Sequence, residues 1–146
     1  MILTPHLLVG AAIATRINLP LGLVLAFLSH YFLDFFPHLE YSIENIQRKK
    51  WKKFFPDFLK IFLDISFGSF LIFILSENLL LALAVGFFAI LPDGLVILGL
   101  IFPNRLLKIH SDFHQKIHFP KNKKAPLFWG IFSQVLVMLV AIYFLR

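Results

Sequence analysis

Cysteine is absent from the 146 residues, which excludes disulfides, thiolate metal sites and a cysteine nucleophile. Neither a glycine-rich phosphate loop nor a serine-centred nucleophile motif is present, so the common nucleotide-binding and serine-hydrolase readings fall away. No basic stretch precedes the first apolar run, and that run is therefore expected to be retained rather than cleaved as a signal peptide. Negative charge is also scarce: 8 acidic residues stand against 14 lysines and arginines, for a net charge of +6.

What fills the chain instead is apolar. Hydrophobic residues make up 59% of it, with 19 phenylalanines, and the mean hydropathy is +0.83. A water-soluble domain averages about 45–50% apolar even with glycine counted. The excess lies in blocks, which reads as a single helical integral membrane domain over residues 1–146 with the lipid bilayer as its main partner. The basic residues cluster between blocks. Arg48, Lys49, Lys50, Lys52, Lys53 and Lys60 fall in one connection, and Arg105, Lys108, Lys116, Lys121, Lys123 and Lys124 in another. Placed beside long apolar runs, they read as positive-inside anchors against anionic headgroups. Nucleic acid is the weaker reading, because no recognition motif accompanies them.

The expected architecture is all-α and polytopic, with about four transmembrane helices plus a short N-terminal helix. Residues 79–102 form the clearest span, with Asp93 its only charge, and residues 127–145 form a second with none. Residues 61–76, extended back through Phe58 and Leu59, make a third, and 19–36, opened by Pro20 and closed by Pro37, a fourth. Residues 4–15 are too short to cross. With both basic connections on the cytoplasmic side, the alternation of these spans closes without contradiction.

Against that background the polar residues are unevenly placed. His30, Asp34 and His38 end the 19–36 run; His30 and Asp34 are four apart and share a helix face. Asp93 lies between Pro92 and Gly94, and His110, His114 and His118 recur every four residues. The charge-derived topology puts all of these on one side of the membrane, and His6 joins them if the short helix begins there. Ionisable groups at membrane depth are functional-site candidates by default. The ligand set is His6, His30, Asp34, Asp93, His110 and His114, with His114 and His118 as candidate acid–base groups. Imidazole and carboxylate donors suit zinc, and also Mn2+ or Fe2+. If two ions bind, Asp34 or Asp93 suits a bridging role. Asp64 is explained by pairing with Lys60, Asp57 by starting its helix, and Glu40 by facing water.

Met1-Ile-Leu-Thr4-Pro5-His6 leading into Gly10-Ala-Ala, then Ser29-His30 with Asp34, Pro37-His38, Leu91-Pro92-Asp93 and a late histidine cluster resemble the LexA-binding, inner-membrane-associated family described as metal-dependent hydrolases. The likeness covers most of the chain in order and spacing. More distantly, His30-x-x-x-Asp34 resembles a ligand pair of zinc-dependent phospholipase C. In place of the family's late His-Arg…Thr-His-Ser pattern, this chain reads His110-Ser-Asp112-Phe-His114-Gln-Lys-Ile-His118. The resemblance implies residence in a bacterial cytoplasmic (inner) membrane. The expected function is metal-dependent hydrolysis of an ester or phosphoester, with a phospholipid among the candidate substrates, at the cytoplasmic interface. Two alternatives stand beside it: a non-enzymatic divalent-metal-binding or transport component, for which a homo-oligomer would supply the pathway, and a membrane scaffold acting through its basic loops.

Overall fold

The computed structural model describes residues 1–118 and 126–146. Among them the chain is helical and strandless: α1 (Leu3–Ala14), α2 (Leu19–Asp34), α3 (Glu44–Gln47), a 3-10 turn at Trp51–Lys53, α4 (Phe55–Leu75), α5 (Leu79–Ala89), α6 (Leu91–Ile101), α7 (Arg105–Ile117) and α8 (Leu127–Leu145). Asparagines set many of the boundaries. Asn18, Asn78 and Asn104 each accept a backbone N–H three residues on, from Leu21, Leu81 and Leu107, and so cap α2, α5 and α7. Prolines open α2, α4 and α6 within the first turn, where their missing N–H costs nothing.

The shortest of the apolar helices except α5 and α6, α1 occupies the centre, packed against α5, α8, α4 and α2 and buried nearly all round. Its neighbours are outward-facing. α4 buries only Asp57, Gly68 and Ile72, and α8 only Gly130, Gln134, Ala141 and Leu145. The phenylalanines of both helices, Phe62, Phe70, Phe128 and Phe132 among them, stand exposed. In lipid, apolar burial gives little drive for helix association, so contact rests on close packing of small residues. That is how α1 meets α5: a Cβ on Gly10 would lie 2.8 Å from the Gly86 Cα, and a Cβ on Gly86 would lie 2.9 Å from the Leu7 carbonyl oxygen.

A helix buried end to end must find acceptors for its first N–H groups without water. Asp64, at the middle of α4, supplies them. Its carboxylate accepts Leu3 N–H at 2.6 Å, Thr4 N–H at 3.0 Å and the Thr4 hydroxyl at 2.6 Å. Asp64 is therefore a cap for another helix and not the partner of Lys60, whose ammonium donates to the Ser42 carbonyl at 2.7 Å. Asp57 acts in the same way, accepting the N–H groups of Asn45 and Ile46 at 2.7 and 3.2 Å.

α4 and α8 are each long and apolar enough to cross a membrane. The 79–102 run is not one straight helix: α5 and α6 meet at a 53° bend, and the pair counts as a third span only if taken together. Pro92 explains the break, since it has no N–H for the preceding turn and its ring crowds it. α2, at 16 residues, belongs with α1 among the shorter apolar helices. Lys121, Lys123 and Lys124 of the second basic connection lie outside the described residues.

Replacing Asp64→Ala leaves the α1 donors without partners and is expected to cost about 3 kcal/mol, read as a lowered unfolding midpoint in detergent micelles. Asp64→Asn, which keeps one acceptor oxygen, should cost less. Gly86→Val should separate α1 from α5 and cost about 1–3 kcal/mol by overpacking, in the same measurement.

Candidate metal centre

The C-terminal part of α2 brings His30 and Asp34 to the N-terminal end of α1, where both side chains are buried. Asp34 is the hub. Its Oδ1 lies 2.5 Å from the Met1 amine and 3.2 Å from His6 Nε2. Its Oδ2 lies 3.2 Å from His30 Nε2 and 3.5 Å from the Nε2 atoms of both His114 and His118. Asp93, in the first turn of α6, reaches the same space: its Oδ1 is 3.4 Å from His114 Nε2 and 3.7 Å from His30 Nε2. Two groups of donors result, each mutually within 4.8 Å and able to hold an ion: His30, Asp34, Asp93 and His114, and Asp34, His38 and His118. Asp34 belongs to both.

Backbone carbonyls orient two of the rings. His30 Nδ1 lies 2.9 Å from the carbonyl oxygen of Ala89, the last residue of α5, whose C-terminal carbonyls lack helical donors. His38 Nδ1 lies 2.7 Å from the Phe36 carbonyl oxygen. A carbonyl can only accept, so in each ring Nδ1 carries the proton and Nε2 presents a lone pair. The His30 lone pair then faces Asp34 and, at 3.0 Å, His114 Nε2. Lone pairs and a carboxylate crowded together need a cation or a shared proton. The carboxylate itself is under-satisfied: Asp34 Oδ2 and both His6 ring nitrogens are buried without a hydrogen-bond partner. Buried polar groups left in that condition are costly unless an ion or proton joins them.

Glu40 stands at the rim. Its Oε1 is 2.8 Å from His118 Nε2 and 3.3 Å from His38 Nε2. Burial alone would raise its carboxyl, but the His118 hydrogen bond and the Met1 ammonium, 3.3 Å away, outweigh this and hold it far below the usual carboxylate range. Burial likewise opposes charge on His118, yet the Glu40 hydrogen bond and the Asp34 charge raise it above the ordinary histidine value. His110 moves the other way, lowered by burial and by the neighbouring His114 and His30.

The candidate ligands thus separate. His30, Asp34, Asp93 and His114 come together as one group, and His118 joins Asp34 and His38 in the other. His6 touches Asp34 and stacks on His30 with ring centroids 4.2 Å apart, outside both groups. His110 turns to Tyr31, its Nε2 2.9 Å from the phenol oxygen. Glu40 is the residue that sequence reasoning placed in water. Its spacing from His38 was visible, but only the loop conformation after α2 folds both toward His118. Compared with known proteins, the chain matches no family model, no curated protein and no solved structure.

Zn2+ or Mn2+ loading is expected to fill both groups, with Asp34→Asn abolishing stoichiometric metal and His38→Ala emptying only one group, as read by elemental analysis of purified protein. Because an ion must displace the proton on His118, uptake should release protons and tighten as pH rises through and beyond the ordinary histidine range. Titration calorimetry in buffers of different ionisation enthalpy measures that release. Without metal the sign reverses. The raised His118 contributes stability that is complete below its unfolded value and lost as pH rises through its folded one.

Proposed function

We propose that the chain is a membrane-embedded, metal-dependent hydrolase of ester or phosphoester bonds, related to the LexA-binding, inner-membrane-associated family. Four spans, α2, α4, the bent α5–α6 pair and α8, surround α1, with the basic connections on the cytoplasmic side. The observation that carries the reading is the convergence of imidazole and carboxylate donors from α2, α6 and α7 on Asp34, a buried carboxylate shared by two ligand groups. A shared carboxylate is what a two-ion hydrolytic site requires, since paired ions lie about 3.5–4 Å apart. Zinc is the preferred occupant from the donor set, with manganese or iron next.

Bound metal supplies a water of lowered pKa and polarises the bond to be cleaved. The rest falls to the side chains. His114 and His118 lie within ligand distance and serve as ligands on this reading rather than as free acid–base groups. His110 takes the proton-transfer role. It stands one turn from His114, is held by the Tyr31 hydroxyl, and is kept neutral by its surroundings. Cleavage adds the water oxygen to the carbonyl or phosphoryl centre, breaks the bond to the alcohol, and returns a proton to that alcohol.

The bent α5–α6 pair favours one competing reading, divalent-metal transport, since broken helices with a carboxylate at the break line many transport sites. Uptake of Mn2+ into proteoliposomes without turnover of any ester would select it.

For the hydrolase, metal-loaded protein should cleave an activated phosphodiester. Asp34→Asn should remove metal and activity together, and His110→Gln should lower kcat by about 100-fold or more with metal content intact. Activity that survives Asp34→Asn, or its absence at full metal occupancy across esters and phosphoesters, would sink this function.

A further inference from the structure

We infer that the substrate of this site is a phospholipid that approaches sideways from the bilayer, its phosphoester meeting the ligands at the first turn of α6. The inference rests on the hydrolase reading and adds the depth of the site and the side on which it opens.

Depth follows from two helices independently. The amine of Met1 contacts Asp34, Leu3 N–H is held by Asp64, and Ile2 N–H donates to Gln134 Oε1 at 3.3 Å. Asp34 is therefore level with Asp64 in α4 and Gln134 in α8. Asp64 lies about 14 Å of helix rise in from Phe55, and Gln134 about 10 Å in from Leu127. Both helices carry lipid-type side chains past that level: Phe55, Phe58 and Phe62 on α4, and Phe128 and Phe132 on α8, are all exposed. The headgroup layer on each side is only about 5–7 Å thick. The ligands thus lie inside the lipid-facing belt, about 3–9 Å beneath the boundary where headgroup meets hydrocarbon. A water-soluble ester would have to leave water to reach them; a phospholipid already carries its linkages near that level.

The opening is on the lipid side. Among the residues of the first ligand group, His30, Asp34 and His114 are buried, whereas the Asp93 side chain is 28% exposed. Gly94 beside it is exposed, and a Cβ there would meet nothing within 4 Å. α7, which packs on α6, exposes Leu106, Ile109 and Phe113 at helical spacing, with Arg105, Lys108 and Lys116 also exposed. An exposed apolar row together with basic residues is the pattern of a helix lying in an anionic headgroup layer. Acyl chains have an apolar wall there, and the same helix carries cations for an anionic headgroup. Hydrolysis needs only water: its oxygen bonds to phosphorus, the P–O bond to one alcohol breaks, that alcohol takes a proton, and a phosphomonoester remains.

The test uses the full chain, loaded with Mn2+, in vesicles of equal parts phosphatidylglycerol and phosphatidylcholine. Long-chain phosphatidylglycerol should be turned over about 100-fold faster than a monomeric short-chain analogue with the same headgroup, because remote binding energy is realised only with the chains. Gly94→Trp, which fills the opening, should lower lipid turnover by about 100-fold with metal content unchanged. A benzophenone amino acid at position 94 should give a light-driven phospholipid adduct, detected by mass. Equal or faster turnover of the soluble analogue would overturn the inference and leave hydrolysis standing. An adduct at position 94 with no turnover of either substrate would overturn the hydrolase and keep lipid recognition. Adducts from a benzophenone at position 113 but none at 94 would overturn the lipid route itself.

Discussion

The fold depends on capping a helix where water is absent. α1 is buried along its length, and each of its first N–H groups needs an acceptor from another part of the chain. Asp64 supplies most of them from the middle of α4, with Gln134 of α8 taking one more. This fixes the height of α1 against both long helices. The Gly10–Gly86 contact then fixes its distance from α5. Together they determine where His6 stands relative to Asp34. The structural acid and the chemical acid are linked through one short helix.

Around Asp34 nitrogens outnumber oxygens. Each ion-pair partner of its carboxylate is a nitrogen that is a cation, becomes one on protonation, or lends a lone pair to a metal, and the Asp93 carboxylate adds like charge within 4.8 Å. Two of the surrounding rings have their tautomers set by carbonyls outside the cluster, one from the end of α5 and one from the loop after α2. That arrangement leaves Nε2 facing inward in each. A purely structural carboxylate has no need of so many inward lone pairs, and a metal ligand shell does.

Much of this was legible in the chain itself, for reasons that differ by element. Residues 127–145 read directly as a helix because lysines and an arginine bracket an uncharged run, and α8 has those bounds. The His110–His114–His118 period read as a helix face, and α7 presents the first two, with His118 as its C-cap. The His30–Asp34 pair was visible because a polar i,i+4 pair stands out in an apolar run. The role of Asp64 was not, since its partners are about sixty positions away and the nearest explanation, Lys60, was local. Glu40 does keep an exposed side chain, 44% accessible; its contact with His118 was not legible for a similar reason, since the partner is far along the chain. Residues 79–102 read as one uninterrupted span, and the 53° bend at Pro92 emerges only with the packed structure.

α7 bears on assembly as well as chemistry. It packs on α6 as a hairpin, and its approach to α2 runs largely through Tyr31 and the histidines that face Asp34. Few apolar contacts fasten that side. An ion bound between His114 or His118 and the α2 carboxylate would therefore be a rivet as well as a reagent, joining the hairpin to the rest of the bundle. Ion occupancy and the closure of this wall would then be a single equilibrium, and the chain could not be emptied of metal without loosening the helix that carries its basic face.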